Sequence, residues 1–582
     1  MLRVTWCIGF FWLIVPATSQ ALVQSNDSAA ILRDAHRAQV RFEHTRRHYI
    51  PRLDDPNDDR CDVQIGRMCY LQGDDNQQPI AEPREIASAR ISFIARLATL
   101  HARSPGDDWI AGQLIHYMVE AGEYSGAVAM ARACAPERWY CYALQGYALH
   151  ASGSYGGADS AYDKALLAMP PEERCRWNDI SLLLDDATRD SYERIPCGKR
   201  DSVEQRFWKL SRPSFLVGGN DRRTEHYSRV LLADLSQDAD NPYDLRWRTD
   251  MREMLIRYGA AIWYSTPVPM PFLATPAPVG HDRAPSYHFA PEVLGDTVQW
   301  DVYAPAPREK YAPPYIDTLT KLDAQFAMMK RGDSALVVAV YADTARDTTQ
   351  RQALIGLSAG VRDNTTSEEP RGVEHEGLRR VRAAWRGMMV AMETYDPVRR
   401  SDARTRQWLA PPRHPSDAPD VSTLLIYSAD SSTTVESLDD ALAHALTNNE
   451  LRGIRRLGLY WEVYGVYRSP KDSSRPQDTV STATDTSTAT RLPGAADSSS
   501  VEVTVVRTDG GIARWLGQAL HLTQRDSPLT VRWHDTHPGT GMDAHSVTVD
   551  LSALPPGDYR VTVTMGMAPD HRTELARDIR LR

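Results

Sequence analysis

Apolar and small residues recur every three or four positions between residues 83 and 170. "PREIASARISFIARLATLHA" places Ile86, Ile91, Ile94 and Leu97 on one side of an amphipathic helix. "YALQGYALHASGSYGGADSAYDKALLAMP" places Leu144, Ala148, Ala158, Tyr162, Ala165 and Leu166 at the same period. Gly153 and Gly156-Gly157 break that run and Pro170 closes it. Beyond residue 319 the pattern changes to that of strands. "SALVVAVYAD", "STLLIYSA", "VEVTVVR", "LTVRWHD" and "TELARDIRLR" read as strands, and "VRAAWRGMMVAMETYD" reads as strand or helix. In "GLYWEVYGVYR", Leu459, Trp461 and Val463 alternate with Tyr460, Glu462 and Tyr464. "SVTVDLSALPPGDYRVTVTM" alternates on both sides of Pro556-Gly557, a pair suited to the centre of a type II turn. One helix interrupts the sheets: "ESLDDALAHAL", with a Ser437/Asp440 cap and apolar Leu438, Ala441, Leu442 and Ala445.

The 142–170 segment resembles a tetratricopeptide repeat. Gly146, Gly153, Tyr155, Ala158, Tyr162, Ala165 and Pro170 occupy that consensus's Gly, Gly, Tyr, Ala, aromatic, Ala and Pro positions. A weaker copy precedes it, with Gly122, Tyr124 and Ala127 spaced like Gly153, Tyr155 and Ala158. The resemblance implies stacked helical hairpins, an architecture that offers surface to peptide or protein partners.

Residues 206–259 carry a second pattern, dense in polar chemistry. Phe207-Trp208, Arg212-Pro213, Asn220-Asp221, Glu225-His226-Tyr227, Arg229-Val230, Trp247, Thr249-Asp250 and Ile256-Arg257-Tyr258-Gly259 follow in order. This resembles the bacterial GWxTD domain, which brings no established activity with it. Arg246 stands where that motif has glycine, and Ala260-Ala261 where a proline usually follows. The residues also have structural work available. Asn220 suits a helix N-cap, Asp221 suits the helix dipole, and Glu225 and Arg229 are four apart in the favourable order. Asp250 and Glu253 resemble a capping box, Gly259 suits a helix C-terminus, and Trp208, Trp247 and Tyr258 suit a core. A catalytic reading would make Glu225 or Asp250 a general base beside His226, but no H-E-x-x-H, G-x-S-x-G or paired-carboxylate signature supports it.

Prolines crowd residues 267–314, which predicts an extended segment, with "VQWDVY" as a short strand and His281 and Arg283 in irregular chain. Residues 469–500 lack periodicity and apolar mass, predicting a disordered loop of the overlong-hairpin kind or a linker. Tyr460 and Tyr464 suit a contact between sheets or domains, with an exposed sugar-stacking face as the alternative. His534, His537 and His545 lie near one another, but solvated loop histidines account for them without a metal.

The ends and composition bound the setting. Arg3, an apolar run from Val4 to Val15 and small residues around Ala17-Thr18-Ser19 or Ser19-Gln20-Ala21 predict a signal peptide over residues 1–21. Its removal takes away one positive charge, moving the net charge from −9 to −10, which argues against a nucleic-acid partner. With Cys7 removed, Cys61, Cys69, Cys134, Cys141, Cys175 and Cys197 remain, and no C-x-x-C pair favours zinc. In an oxidising compartment they predict disulfides, by spacing Cys61–Cys69, Cys134–Cys141 and Cys175–Cys197.

The expected fold class is multidomain α+β: an N-terminal α-helical repeat domain (30–200), a small GWxTD-like α/β module (201–265) and a Pro-rich extended segment (266–318). A first β-rich domain (319–450) and a C-terminal β-sandwich (451–582), immunoglobulin- or fibronectin-like, complete it. No cofactor or metal is expected. The functional expectation is an exported, periplasmic or secreted protein that binds protein partners in the cell envelope without catalysis. The alternatives are an envelope-polymer hydrolase using Glu225, His226 and Asp250, and a glycan-binding protein.

Overall fold

A computed structural model of the chain describes residues 18–53, 61–70, 79–134, 138–268, 277–282, 285–291, 308–342, 352–358, 366–367, 376–413, 419–464, 498–509, 528–536, 542–568 and 571–582. The first 17 residues of the expected signal peptide, "VQWDVY", Arg283, His537 and most of the 469–500 stretch lie outside these. The described residues gather into two compact units. One contains those of 1–213, 217–292 and 302–314, and the other those of 214–216 and 315–582.

The first unit is mainly helical. Its helices are α1 (Thr18–Tyr49), α2 (Arg84–Arg103), α3 (Asp108–Glu120), α4 (Tyr124–Ala133), α5 (Trp139–Ala151) and α6 (Tyr155–Ala168). They continue with α7 (Pro171–Asn178), α8 (Asp186–Glu193), α9 (Asp201–Ser211), α10 (Asp221–Ser236) and α11 (Thr249–Tyr258). The pairs α3/α4 and α5/α6 are hairpins whose turns use Gly122 and Gly153 at φ +76° and +80°. Gly146 lets α5 approach α6, since a β-carbon there would meet the Tyr162 ring at 2.7 Å. On α2 the core face is Ile86, Phe93, Ile94, Leu97 and Leu100. Ile91, expected on that face, is 61% exposed, and the buried residue beside it is Arg90.

Cysteines 61–69, 134–141 and 175–197 form three local disulfides, each with Cα atoms under 6 Å apart. The second ties the end of α4 to α5, joining the two hairpins. The first closes a small hairpin, Val63–Ile65 with Met68–Tyr70, whose Ile65, Met68 and Tyr70 pack against Met251, Met254 and Tyr258 of α11. Helix α10 packs on α5, α6, α3, α9 and α11, so the 201–265 stretch continues the helical unit.

The described residues of the second unit form four sheets. Strands Thr366–Ser367, Gln352–Ser358, Met388–Asp396, Ser401–Leu409 and Thr318–Lys321 form one sheet in that order. It shares a core with the sheet Glu376–Ala384, Ser334–Ala342, Asp323–Arg331 through residues such as Phe326, Val337, Ile355 and Val390. The ambiguous "VRAAWRGMMVAMETYD" is thus two strands, one in each sheet. In the third sheet, Arg456–Tyr464 pairs with Asp420–Val421, Leu425–Ser428 and Met542–Asp550. The fourth runs Glu450–Leu451, His571–Leu581, Gly557–Ala568, Ser498–Arg507, Leu529–Thr536. Leu459, Trp461, Val503 and Val561 are among the residues filling the core between these last two.

Several expectations are corrected here. The boundary expected at residue 450 does not separate sheets, because Leu425–Ser428 and Arg456–Tyr464 are paired neighbours. Arg456–Tyr464 and Ser498–Arg507 are not a hairpin; they lie in the two facing sheets of one core. The expected 469–500 loop also ends earlier, since Ser498 to Ser500 are already paired strand. Nor does Pro556-Gly557 centre a hairpin turn. Gly557 has φ +156° and begins a strand paired with His571–Leu581, while Met542–Asp550 belongs to another sheet. The intervening turn is closed by the Leu554 amide donating to the Leu551 carbonyl at 2.9 Å.

The helix α12 (Leu438–Ala443) carries the capping box expected of Ser437 and Asp440. With Leu425, Tyr427 and Tyr460 it covers the outer face of Ala327, Met329 and Val338. Strand Arg456–Tyr464 is consequently buried on both faces.

Candidate functional site

Helix α10 begins at a close approach of two backbone segments. Gly219 has φ +85°, and a β-carbon on it would lie 2.5 Å from the Gly156 amide nitrogen. Asn220 then caps the helix: its side chain accepts from the Arg223 amide at 3.1 Å and donates to the Trp208 carbonyl at 2.7 Å. Phe207 and Trp208, both buried on α9, meet edge to face with centroids 4.9 Å apart. Asp221 follows in the first turn with no exposed surface.

From this start, side chains of α10 reach outward in different directions. Arg222 forms a buried ion pair with Glu309 at 2.7 Å. Glu309 also accepts from the amides of Phe289 and Ala290, both at 2.7 Å. Burial opposes the charge of Glu309, but Arg222, with His288 and Arg229, more than offsets it and holds its pKa below the usual value. Arg223 reaches Asp159 at 2.9 Å and Asp163 at 2.5 Å on α6. The Tyr227 hydroxyl donates to Asn178 at 2.8 Å.

Glu225 binds Arg229 at 2.6 Å through one oxygen and His150 of α5 at 2.8 Å through the other. Burial opposes its charge too, yet Arg229 and His150 hold its carboxyl well below the carboxylate range. Arg229 donates further to the carbonyls of Ile256 (3.1 Å), Arg257 (3.0 Å) and Lys310 (2.8 Å). The first two are orphan carbonyls of the last turn of α11, which a guanidinium satisfies well.

His226 points elsewhere. It is fully buried, with its ring 5.0 Å from that of Trp208. Burial, then the nearby Arg222 and Arg229, push its pKa well down, so the imidazole is neutral at pH 7.

Asp250 is not half of a capping box. No side chain caps α11, and Asp250 clamps Arg67 at the tip of the disulfide hairpin, with bonds of 2.7 and 2.8 Å from the guanidinium. Those bonds hold the Asp250 carboxyl well below its usual range. Arg67 also donates to the Arg246 carbonyl at 3.0 Å, so the motif position occupied by Arg246 contributes its backbone while its side chain is exposed. Thr249 opens α11 exposed, and Trp247 is half-buried against the Met251 cluster. Arg257 donates to the Leu182 carbonyl at 2.8 Å, Tyr258 stacks on Tyr70 at 4.0 Å, and Gly259 ends α11 at φ +91°.

Glu225, His226 and Asp250 therefore do not act as one set. Each serves a separate packing contact, with Glu225 on His150 and Arg229, His226 on Trp208, and Asp250 on Arg67. A general base needs access to substrate and a pKa near the working pH, and none of the three combines them. His150, Arg67 and Glu309 are the partners that sequence reasoning missed. They lie far off in sequence: His150 in the repeat-like segment, Arg67 between Cys61 and Cys69, and Glu309 in the proline-rich chain.

One alignment does have catalytic form. The Thr224 hydroxyl lies 2.8 Å from His150 Nδ1, and His150 Nε2 lies 2.8 Å from Glu225. The order is hydroxyl, imidazole, carboxylate, but Thr224 has no exposed surface.

The remaining expectations concern Tyr460, Tyr464 and the scattered histidines. Tyr460 and Tyr464 are buried, 1% and 9% exposed, so they offer no sugar-stacking face. Both hydroxyls donate to Glu462, itself paired with Arg331. His545 stacks on Trp461 with centroids 5.4 Å apart, and among the described residues no group of three metal-ligating side chains is assembled. His281 stacks on Trp263 at 3.6 Å and bonds the Ser265 hydroxyl at 2.7 Å, a strut between strands. No protein-family model and no curated protein sequence matches the chain.

Proposed function

We propose that the protein is an exported, non-catalytic component of the cell envelope that works by binding protein partners or by assembly. In this reading the α3–α6 hairpins are tetratricopeptide-like, the 201–265 stretch is GWxTD-like, and the facing sheets of the second unit are immunoglobulin-like. The Tyr559 hydroxyl donating to the Pro555 carbonyl at 2.8 Å, near the start of its strand, suits that last assignment. Three disulfides suit an oxidising compartment, and no helix among the described residues is long and apolar enough to cross a membrane.

The observation that carries the reading is the separate engagement of Glu225, His226 and Asp250. The densest polar chemistry in the chain is used to join helices, which leaves surface recognition as the means of action. The test is a pull-down from envelope extract with the mature, disulfide-intact protein. A partner retained at 0.15 M salt and reconstituted from purified components is expected; nothing above background in either step contradicts it.

The Thr224–His150–Glu225 alignment supports one second reading, a hydrolase of envelope polymer. It requires the helix to open so that Thr224 meets substrate. Turnover of peptidoglycan or a peptide library by the wild type, lost in Thr224→Val with folding intact, would establish it.

A further inference from the structure

Helices α1, α2, α3, α10 and α11 and the strand Trp263–Pro267 line a partly open cavity of about 580 Å³. That volume lies within the range of small-molecule sites. Its wall has two chemistries. One part is Met68, Met251, Met254, Leu255 and Trp247, a thioether-rich surface that adapts to varied apolar shapes. The other is a hydrogen-bonded cluster of charged residues from three helices.

In that cluster Arg46 pairs with Glu120, and Arg90 pairs with both Glu120 and Glu82. Asp240 is matched by Arg47 at 3.0 Å. Three glutamates thus face two arginines, and the excess carboxylate is Glu43. It is 1% exposed and accepts from the Tyr117 hydroxyl through one oxygen at 2.7 Å. Its other oxygen lies 3.6 Å from Arg46 Nε without a hydrogen bond, and neither atom has another partner. A buried carboxylate oxygen left in this way is costly, and it calls for a donor.

We propose that the cavity binds a small amphipathic amine, its ammonium against Glu43 and its apolar body on the methionine-lined wall. The ammonium supplies both the missing positive charge and the missing N–H donor, and Tyr117, Tyr264 and Trp263 add aromatic surface suited to a cation. A carboxylate ligand would add to the excess negative charge. The site is independent of the partner-binding reading.

The groups facing Glu43 fix the pH dependence. Arg46 lies on its own helix, Tyr117 and Glu120 on α3, Arg90 on α2 behind Glu120, and Asp240 beyond α10. Burial dominates and raises the Glu43 pKa to about 7. An ammonium displaces that proton, so amine affinity rises about tenfold between pH 6 and pH 8.

The experiment is calorimetric titration of the mature protein with phenylethylamine, 2-phenylethanol and phenylacetate, three probes with one body and different heads. The expected result is saturable 1:1 binding of the amine, at least tenfold weaker binding of the alcohol, and none of the carboxylate. Glu43→Gln keeps an acceptor for Tyr117 and should bring the amine down to the alcohol's affinity. Ala261→Trp, which fills the cavity from another wall, should abolish both. Absence of binding by all three probes overturns the proposal. So does equal or preferential binding of phenylacetate, or amine binding that survives both substitutions in variants that melt like the wild type.

Discussion

A β-carbon on Gly259 would lie 2.9 Å from the guanidinium of Arg229. The glycine that ends α11 is therefore required twice, once for its φ of +91° and once for the room it leaves. Through that space Arg229 binds the last carbonyls of α11 and the Lys310 carbonyl, while Glu225 holds its other edge. One arginine thereby joins α10, α11 and the 308–314 segment.

Gly259→Ala should destabilise the first unit by about 2–3 kcal/mol, combining backbone strain with displacement of the guanidinium. Arg229→Lys should lose a similar amount, because an ammonium cannot serve four acceptors in a planar fork. Urea unfolding followed by tryptophan fluorescence measures both.

The Arg222–Glu309 pair should behave asymmetrically. Arg222→Met leaves Glu309 charged and buried, and the expected loss is about 3–5 kcal/mol. Adding Glu309→Leu should restore only part of it, because the amides of Phe289 and Ala290 then lose their acceptor. Full recovery in the double variant would mean those amides find other partners.

Glu43 sets a pH dependence with a definite sign. Its folded pKa of about 7 lies above its unfolded value, so the folded state holds the extra proton. Stability falls as pH rises from about 4.5 to about 7 and is level above, with a ceiling of roughly 3 kcal/mol for the group. Glu43→Gln removes this slope. The stability difference between variant and wild type should therefore grow across pH 5–7 in the variant's favour. Glu204, also raised to about 7 by burial, slopes the same way in both proteins and cancels.

In the second unit, Tyr460→Phe and Tyr464→Phe each remove a donor from buried Glu462. Each should cost about 1–2 kcal/mol in unfolding experiments, with no change in glycan-array binding. A loss of glycan binding without loss of stability would restore the sugar-face reading.

Local chemistry was legible in the sequence. Asn220 and Ser437 cap the helices predicted for them, Glu225 and Arg229 pair, and the cysteines join in the three short-range combinations. These outcomes depend on residues no more than 22 positions apart. Long-range partners left no such trace. Arg67 and Asp250 are 183 positions apart, and Arg222 and Glu309 are 87 apart. Alternation gave the strand but not the cover on its second face. Tyr460, Glu462 and Tyr464 fit the expected contact between sheets, where α12 and a neighbouring sheet cover them and their polar atoms satisfy one another. Pro556-Gly557 has turn chemistry without a hairpin, because its flanking strands pair with different neighbours.

The organising idea is that α10's charged side chains bind neighbouring parts of the first unit and not a substrate. The free energy of urea unfolding of Glu225→Gln at pH 7 tests it most directly. Glu225 joins His150 to Arg229 and is only 19% exposed, so a loss of about 2–3 kcal/mol is expected after allowance for that exposure. Unfolding within about 0.5 kcal/mol of the wild type would contradict the account and return Glu225 to the list of residues that act on a ligand.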